Sequence, residues 1–110
     1  MVSPTVGHIV LVPFSDLSAS KLRPALVLAK AGRGDWICVQ ITSNPYSDSK
    51  AIEIDEHDFS TGSLNRVSYA RPGKLFTAHE ILFRKSVGRL SEQKLKEVIS
   101  GVIALVQGGA

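Results

Sequence analysis

The stretch Ala25-Leu-Val-Leu-Ala-Lys-Ala-Gly-Arg-Gly-Asp-Trp-Ile-Cys-Val-Gln-Ile41 contains two apolar runs separated by a turn. The runs, residues 25–28 and 36–41, are short and rich in aliphatic and β-branched residues, which favours strands. Residues 30–35 between them include two glycines, and glycine readily adopts positive φ. The stretch therefore predicts a β-hairpin.

Similar short runs lie on both sides of this hairpin. Residues 9–12 form an apolar run, which a long polar loop at residues 14–22 would connect to the hairpin. The other strand candidates follow downstream. They are residues 52–54, 66–70, 74–78 and 82–87. Short strands at this spacing predict a compact barrel or sandwich of mostly antiparallel strands.

Near the end of the chain, apolar residues no longer recur at every second position but at every third or fourth, which predicts one amphipathic helix. Ser91 is placed to cap the start of this helix, and Gly108 is placed to end it. The repeating apolar residues are Leu95, Val98, Ile99, Val102, Ile103 and Val106. The fold class predicted from the pattern is mainly β with a C-terminal helix.

Length and composition exclude several classes of protein. The 110 residues predict a single domain over residues 1–110, too small for a deep private cleft or a large cofactor. The lone Cys38 excludes an intrachain disulfide framework and a cysteine zinc site, and the spacing of the three histidines supports no metal site. We also expect no signal peptide, no membrane span and a cytoplasmic protein.

The net charge of +3 conceals two oppositely charged segments. Residues 48–58 contain five acids and one base, whereas residues 66–89 contain six bases and one acid. A basic segment of this kind could bind along a phosphate backbone, although charge runs are also common on ordinary solvated faces.

Four aromatic residues could stack on unpaired bases or lie in the core. They are Phe14, Tyr46, Tyr69 and Phe76.

Arg23 and Thr42 are the candidates for chemistry. Pro24 biases Arg23 towards extended backbone, and the guanidinium offers a fork of donors that suits a phosphodiester. Thr42 and Ser43 end the second strand of the hairpin, so Arg23 and Thr42 are predicted to be neighbours across antiparallel strands. Alternatively, Arg23 is a surface arginine paired with an acid such as Asp16, and Thr42 belongs to a simple turn.

Five segments in order resemble the MazF/PemK family of growth-inhibitor toxins. They are Gly7-His-Ile-Val-Leu-Val-Pro-Phe14, Lys21-Leu-Arg-Pro-Ala-Leu-Val-Leu28, Ile41-Thr-Ser-Asn44, Ser68-Tyr-Ala-Arg-Pro-Gly-Lys-Leu-Phe-Thr77 and Val87-Gly-Arg-Leu-Ser91. The resemblance implies an SH3-like small β-barrel with a C-terminal helix, a homodimer, and the toxin of a type II toxin–antitoxin system. Its implied partner is an antitoxin whose acidic, partly disordered segment covers a basic groove.

The implied activity is endoribonucleolytic cleavage of single-stranded RNA without a metal or cofactor, leaving 2′,3′-cyclic phosphate and 5′-hydroxyl ends. The family's catalytic arginine and hydroxyl residue fall on Arg23 and Thr42. The RNA-binding candidates are Lys21, Ser43, Asn44, Arg71 and Lys74. Without the resemblance, Arg71 is equally well explained as part of a Pro-Gly type II turn between two strands.

Three features depart from the family pattern: His8 replaces an acid, Gly73 replaces an Asp found in many members, and the connection at residues 14–21 is shorter than usual. The Gly73 change argues against a mechanism in which an Asp acts there as base. Two other functions remain open at this stage. One is a gyrase poison of the CcdB type, although this chain ends Gln107-Gly-Gly-Ala110 instead of Trp-Gly-Ile. The other is a catalytically silent relative that binds RNA or its antitoxin.

Overall fold

The computed structural model describes residues 5–16 and 19–108; for residues 14–16 and 19–20 it describes the backbone only. Within these ranges the chain forms seven strands, two short 3-10 helices at Glu56–Asp58 and Glu80–Leu82, and one α-helix. The strands are β1 His8–Asp16, β2 Ala19–Gly32, β3 Asp35–Thr42, β4 Ile52–Ile54, β5 Phe59–Gly62, β6 Ser68–His79 and β7 Lys85–Leu90, and the helix is α1 Glu92–Val106.

All seven strands belong to one antiparallel sheet in the order β4-β6-β3-β2-β1-β7-β5. The sheet curls into a half-barrel, and α1 follows the strands at the C-terminal end of the chain. The predicted class, mainly β with a C-terminal helix, is therefore confirmed.

The predicted hairpin is formed by β2 and β3. Gly32 pairs with Asp35, so Arg33 and Gly34 form a two-residue turn. Their φ angles are 57° and 82°, as required when both central residues of a turn are left-handed. Gly34 is also constrained by space, because a Cβ at this position would lie 2.6 Å from Nε2 of His79.

The helix begins and ends as the sequence predicts. The Oγ of Ser91 accepts a hydrogen bond from the backbone N–H of Lys94 at 3.2 Å, as expected of an N-cap residue. At the other end, Gly108 follows the helix with a φ of 74°. Val98 is fully buried in the core with residues of the sheet, and Leu95 packs against the same cluster. The predicted apolar stripe is not buried along its whole length, because Ile103 and Val106 are 50% and 74% exposed.

The prediction of two strands at residues 66–70 and 74–78 is wrong, because both segments belong to β6. The register of β6 against β3 shifts between Val39 and Gln40, which leaves residues 72–74 as a bulge. Proline has no N–H to donate and is tolerated in a strand at such a bulge. The Pro-Gly pair therefore bends β6 without ending it.

The connection at residues 14–22 is not the predicted long loop. The β1 strand continues to Asp16 and β2 begins at Ala19, with Ser15 paired to Ser20. Residues 17 and 18, and the side chain of Phe14, lie outside the described residues. The polar composition suggested a loop, but backbone pairing requires no apolar side chains.

Two boundaries near the end of the sheet also differ from the prediction. The candidate strand at residues 82–87 is displaced, because β7 begins at Lys85 and residues 80–82 form a short 3-10 helix capped by His79. The β5 strand was missed, since Phe-Ser-Thr-Gly has no apolar alternation. It is held by pairing with β7.

Alternation along the strands divides the buried side chains into two clusters, as expected for a sheet covered on both faces. Cys38 is buried in the second cluster, and this burial raises the pKa of its thiol to about 12. The first cluster consists of Ile9, Leu26, Val39, Ile41, Ile54, Ala70, Leu90 and Val98. The second consists of Val10, Val12, Ala25, Val27, Trp36, Cys38, Ala78 and Phe83.

Candidate active site

A cavity of about 320 Å³ lies beside β2 at Arg23 and Pro24 and beside the end of β3. The paired register of β2 and β3 ends at Ala25 and Gln40, and continuing it by two residues places Arg23 opposite Thr42. Both residues line the cavity, together with Ser43 of the following loop. The structure therefore brings together the two residues that the sequence singles out. The complete lining is Leu11, Arg23, Pro24, Ile41, Thr42, Ser43, Tyr46, Leu64, Arg66 and Ser68.

The hydroxyl of Thr42 is held in one orientation by the turn that follows it. Its Oγ1 donates to the carbonyl of Asn44 at 3.0 Å and accepts from the Asn44 N–H at 3.1 Å. The residue is only 8% exposed. To donate to a ligand, the hydroxyl must rotate so that its hydrogen points to the ligand instead of the Asn44 carbonyl. The hydrogen bond from the Asn44 N–H can continue to hold the oxygen in place.

Arg66 and Ser68 lie at the cavity but were not selected as site residues from the sequence. Arg66 is exposed, and its carbonyl accepts a hydrogen bond from the buried Ser68 hydroxyl at 3.4 Å. The only sequence signal for Arg66 was its place at the start of the basic segment. It is a second arginine among the residues that line the cavity with Arg23.

The other RNA-binding candidates lie around the cavity or away from it. Ser43 and Asn44 are exposed beside Thr42. Lys21 is exposed and lies on the same face of β2 as Arg23, two residues away. Lys74 lines a second groove of about 360 Å³, formed mainly by apolar side chains of β1 and β6.

Arg71 is not among the described residues that line the cavity. Its Nε donates to Oδ2 of Asp48 at 2.9 Å, and its guanidinium carbon lies 5.8 Å from the centroid of the Tyr46 ring. The side chains of Arg71 and Asp48 are 18% and 17% exposed. Arg71 therefore binds the loop after β3 instead of facing the cavity.

The hydrogen bond from Arg71 holds the pKa of Asp48 below its usual range, with the backbone N–H of Lys50 as a further cause; burial opposes both. A carboxylate with a lowered pKa in the folded state stabilises the fold above the pKa of the unfolded chain and ceases to do so as the pH falls through the folded value. Asp48→Asn should therefore lower the free energy of unfolding at pH 7. The difference from wild type should shrink as the pH falls below about 4. Urea unfolding of both proteins at pH 7 and below about pH 4 measures the difference in unfolding free energy. A difference that does not change with pH would contradict the lowered pKa of Asp48.

The acids of the segment at residues 48–58 are largely used within the fold. Asp55 accepts from the N–H of His57 at 2.8 Å and caps the first 3-10 helix. Asp58 lies 3.8 Å from Nζ of Lys94 on α1. The acidic segment thus pairs with its own surroundings, while Arg23 and Arg66 line the cavity.

The model of a known protein family matches residues 5–106 of the chain. Its members are described as PemK-like, MazF-like toxins of type II toxin–antitoxin systems. The chain belongs to this family. The resemblance read from the five sequence segments is therefore confirmed.

Solved structures of MazF-like toxins share the fold. A MazE–MazF complex from Deinococcus radiodurans has a TM-score of 0.74 at 19% identity, covering 94% of this chain and 96% of that chain. An endoribonuclease in complex with its cognate antitoxin, from a mycobacterial species, has a TM-score of 0.71 at 16% identity, covering 96% of each chain. MazF from Deinococcus radiodurans has a TM-score of 0.72 at 18% identity, covering 97% and 99%. No curated protein matches the sequence.

Two positions that the sequence analysis expects to depart from the family pattern lie outside the cavity lining. His8 is half-buried on β1, with Nδ1 3.1 Å from the Ser86 hydroxyl. Gly73 is exposed in the bulge of β6, where an added Cβ would lie 3.6 Å from the Leu105 side chain. Neither residue is positioned among the lining residues of the Arg23 and Thr42 cavity.

Within residues 5–16 and 19–108, no helix is both long and apolar enough to cross a membrane. No group of three or more His, Cys, Asp and Glu side chains in the same ranges is placed to hold a metal ion.

Proposed function

We propose that this chain is the toxin of its own toxin–antitoxin pair and acts as a metal-independent, sequence-specific endoribonuclease on single-stranded RNA in the cytoplasm. The observation that carries the proposal is that Arg23 of β2 and Thr42, the last residue of β3, line the same cavity. Membership of the MazF-like family supports the same activity, as does the likeness in fold to the mycobacterial endoribonuclease.

The proposed reaction needs only the RNA itself as reactant. The ribose 2′-oxygen attacks the adjacent phosphorus, forming a new O–P bond, and the bond from phosphorus to the 5′-oxygen breaks. The 2′-hydroxyl loses a proton and the departing 5′-oxygen gains one. The products are a 2′,3′-cyclic phosphate and a free 5′-hydroxyl, so neither water nor a metal ion enters the balance.

Arg23 stabilises the charge that develops on the non-bridging phosphoryl oxygens. Its guanidinium is a charged group that offers only hydrogen-bond donors, so its role is electrostatic and not that of a base. Thr42 donates its hydroxyl hydrogen bond to the scissile phosphate in exchange for the Asn44 carbonyl. Ser43 and Arg66 contribute further donors to the same phosphate or its neighbours.

Cleavage of a long single-stranded RNA in the presence of EDTA tests this function. The expected result is a set of discrete cuts at a short recurring sequence, with 5′-hydroxyl ends that polynucleotide kinase labels without prior phosphatase treatment. Intact RNA would contradict the proposal. Intact RNA together with trapped gyrase–DNA complexes would identify a gyrase poison instead.

We also propose that the toxin is a homodimer whose basic groove is covered by an acidic, partly disordered segment of a cognate antitoxin. Two solved structures of the same fold contain such a partner, a cognate antitoxin in one and MazE in the other, which supports this proposal. Light scattering should give about twice the chain mass of 11.8 kDa.

Antitoxin binding of this kind should weaken with salt. Exposed charge pairs are screened as the Debye length falls from about 10 Å at 0.1 M to about 3 Å at 1 M, so we expect the Kd to rise about 10-fold or more. Calorimetric titration at both salt concentrations measures it. A Kd that does not change would contradict an electrostatic contact.

A further inference from the structure

The loop at residues 43–50 is bound to β3 at its start and to β6 at its far end. At its start, Asn44 exchanges two hydrogen bonds with the Thr42 hydroxyl, and Oδ1 of Asn44 accepts from the N–H of Tyr46 at 2.9 Å. At its far end, Asp48 binds Arg71 of β6. Polar contacts therefore anchor the start of the loop to Thr42 and its far end to Arg71.

The contact between Asp48 and Arg71 is stronger than a typical surface ion pair. The Nε to Oδ2 distance is 2.9 Å and both side chains are more than four-fifths buried, so solvent screens the pair weakly. The second carboxylate oxygen, Oδ1, accepts the N–H of Lys50 at 2.9 Å. The Arg71 guanidinium is therefore already bound by a carboxylate of the same chain.

The backbone between these two anchors is strained. Tyr46 and Ser47 have φ angles of 52° and 61°, a left-handed pair without a glycine. Residues with Cβ atoms adopt this conformation only where surrounding contacts hold them in it, and such strain is concentrated at functional sites. Two hydrogen bonds enclose the pair here: Oδ1 of Asn44 accepts from the Tyr46 N–H, and the Asp48 N–H donates to the Pro45 carbonyl at 2.9 Å.

Tyr46 presents an exposed aromatic ring at the edge of the cavity. Tyr46 lines the cavity with Arg23 and Thr42, yet it is 63% exposed. The Arg71 guanidinium supports the ring at 5.8 Å from its centroid, within the range of a cation–π contact. Aromatic faces beside a phosphate site are the usual surfaces on which unpaired bases stack.

We propose that Tyr46 is a stacking platform for an unpaired nucleobase next to the phosphate in the cavity, and that Arg71 is a positioning residue that holds this platform through Asp48. The proposal rests on the proposed ribonuclease function, because it names a base contact of the same site. It assigns Arg71 a role that differs from direct phosphate binding.

The test of Tyr46 uses an RNA oligonucleotide with the cleaved sequence, a 2′-deoxy substitution at the scissile nucleotide and 2-aminopurine on either side of it. Without the 2′-hydroxyl the strand stays intact, and stacking quenches the fluorescence of 2-aminopurine. Tyr46→Asn, which tolerates the left-handed backbone, should raise the Kd about 10- to 100-fold and abolish the quenching. Tyr46→Phe should retain both, as should the control Ser47→Asn.

The test of Arg71 depends on Asp48→Asn, which removes the ion pair and releases the guanidinium. If Arg71 positions Tyr46, Asp48→Asn and Arg71→Gln should each raise the Kd about 5- to 20-fold, and the double variant should be no weaker than Arg71→Gln alone. Neither substitution should have a further effect in the Tyr46→Asn background, and the slope of log Kd against log salt should stay constant.

Other outcomes would overturn the proposal. Tighter RNA binding and a steeper salt slope in Asp48→Asn would show that Arg71 binds phosphate directly once released. A wild-type Kd and normal quenching in Tyr46→Asn would remove the stacking role while leaving the ribonuclease function intact. A wild-type protein that binds no RNA would refute both the function and this inference.

Discussion

Arg23→Ala is expected to reduce the cleavage rate of single-stranded RNA by about 100- to 1000-fold or more, because it removes the charge proposed to stabilise the phosphoryl oxygens in the transition state. The effect should appear in kcat more than in KM, since the charge develops during the reaction. The half-buried side chain lies at the cavity edge and is not part of either apolar cluster. The melting temperature should therefore change little.

Arg33→Asn is the matched control for Arg23→Ala. Arg33 is exposed in the turn at the opposite end of β2, and asparagine accepts its left-handed backbone. The same charge is lost, so a general electrostatic effect would lower cleavage in both variants. Arg23→Lys keeps the charge without the planar fork and should show an intermediate rate. Cleavage by Arg23→Ala at the wild-type rate would refute the catalytic assignment.

Thr42→Val should lower cleavage about 100-fold, because the hydroxyl is the donor proposed for the scissile phosphate. It also removes the acceptor of the Asn44 N–H, which should cost up to about 1 kcal/mol of the free energy of unfolding. Thr42→Ser retains the hydroxyl and should recover most of the activity. Kinetics on a short RNA and urea unfolding measure the two effects separately.

Thr61→Val is the control for the loss of a hydroxyl, since Thr61 is exposed on β5. It should leave cleavage unchanged. Equal losses in Thr42→Val and Thr61→Val would mean that the effect comes from stability alone. Full activity of Thr42→Val would exclude the hydroxyl from the reaction.

Local rules were enough to predict several parts of the structure. The glycines of residues 30–35 predicted the turn between β2 and β3, and Ser91 predicted the start of α1. The meeting of Arg23 and Thr42 followed from the hairpin, because paired antiparallel strands place the beginning of one beside the end of the other. These features depend on residues that are close in sequence or joined by one turn.

Other parts of the sheet were not predictable from local patterns. The β5 strand carries no apolar alternation and exists because β7 offers it a partner. The Pro72-Gly73 pair predicted a break, but the bulge against β3 absorbs it within one strand. In both cases, backbone pairing with a distant segment decides the structure, and single-segment patterns contain no information about that partner.

The sequence by itself determined the class of fold, the family and the pair of residues at the cavity, since each depends on local periodicity, turn chemistry or ordered motifs. Only the tertiary structure decided how the remaining charges and aromatics are used. Arg71 is separated from Asp48 by 23 positions, and their contact exists because β6 passes beside the loop that follows β3. Folding therefore places Arg71, which the sequence predicts to bind RNA, against Asp48 and the Tyr46 ring, and this placement requires coordinates because it links segments without a shared sequence pattern.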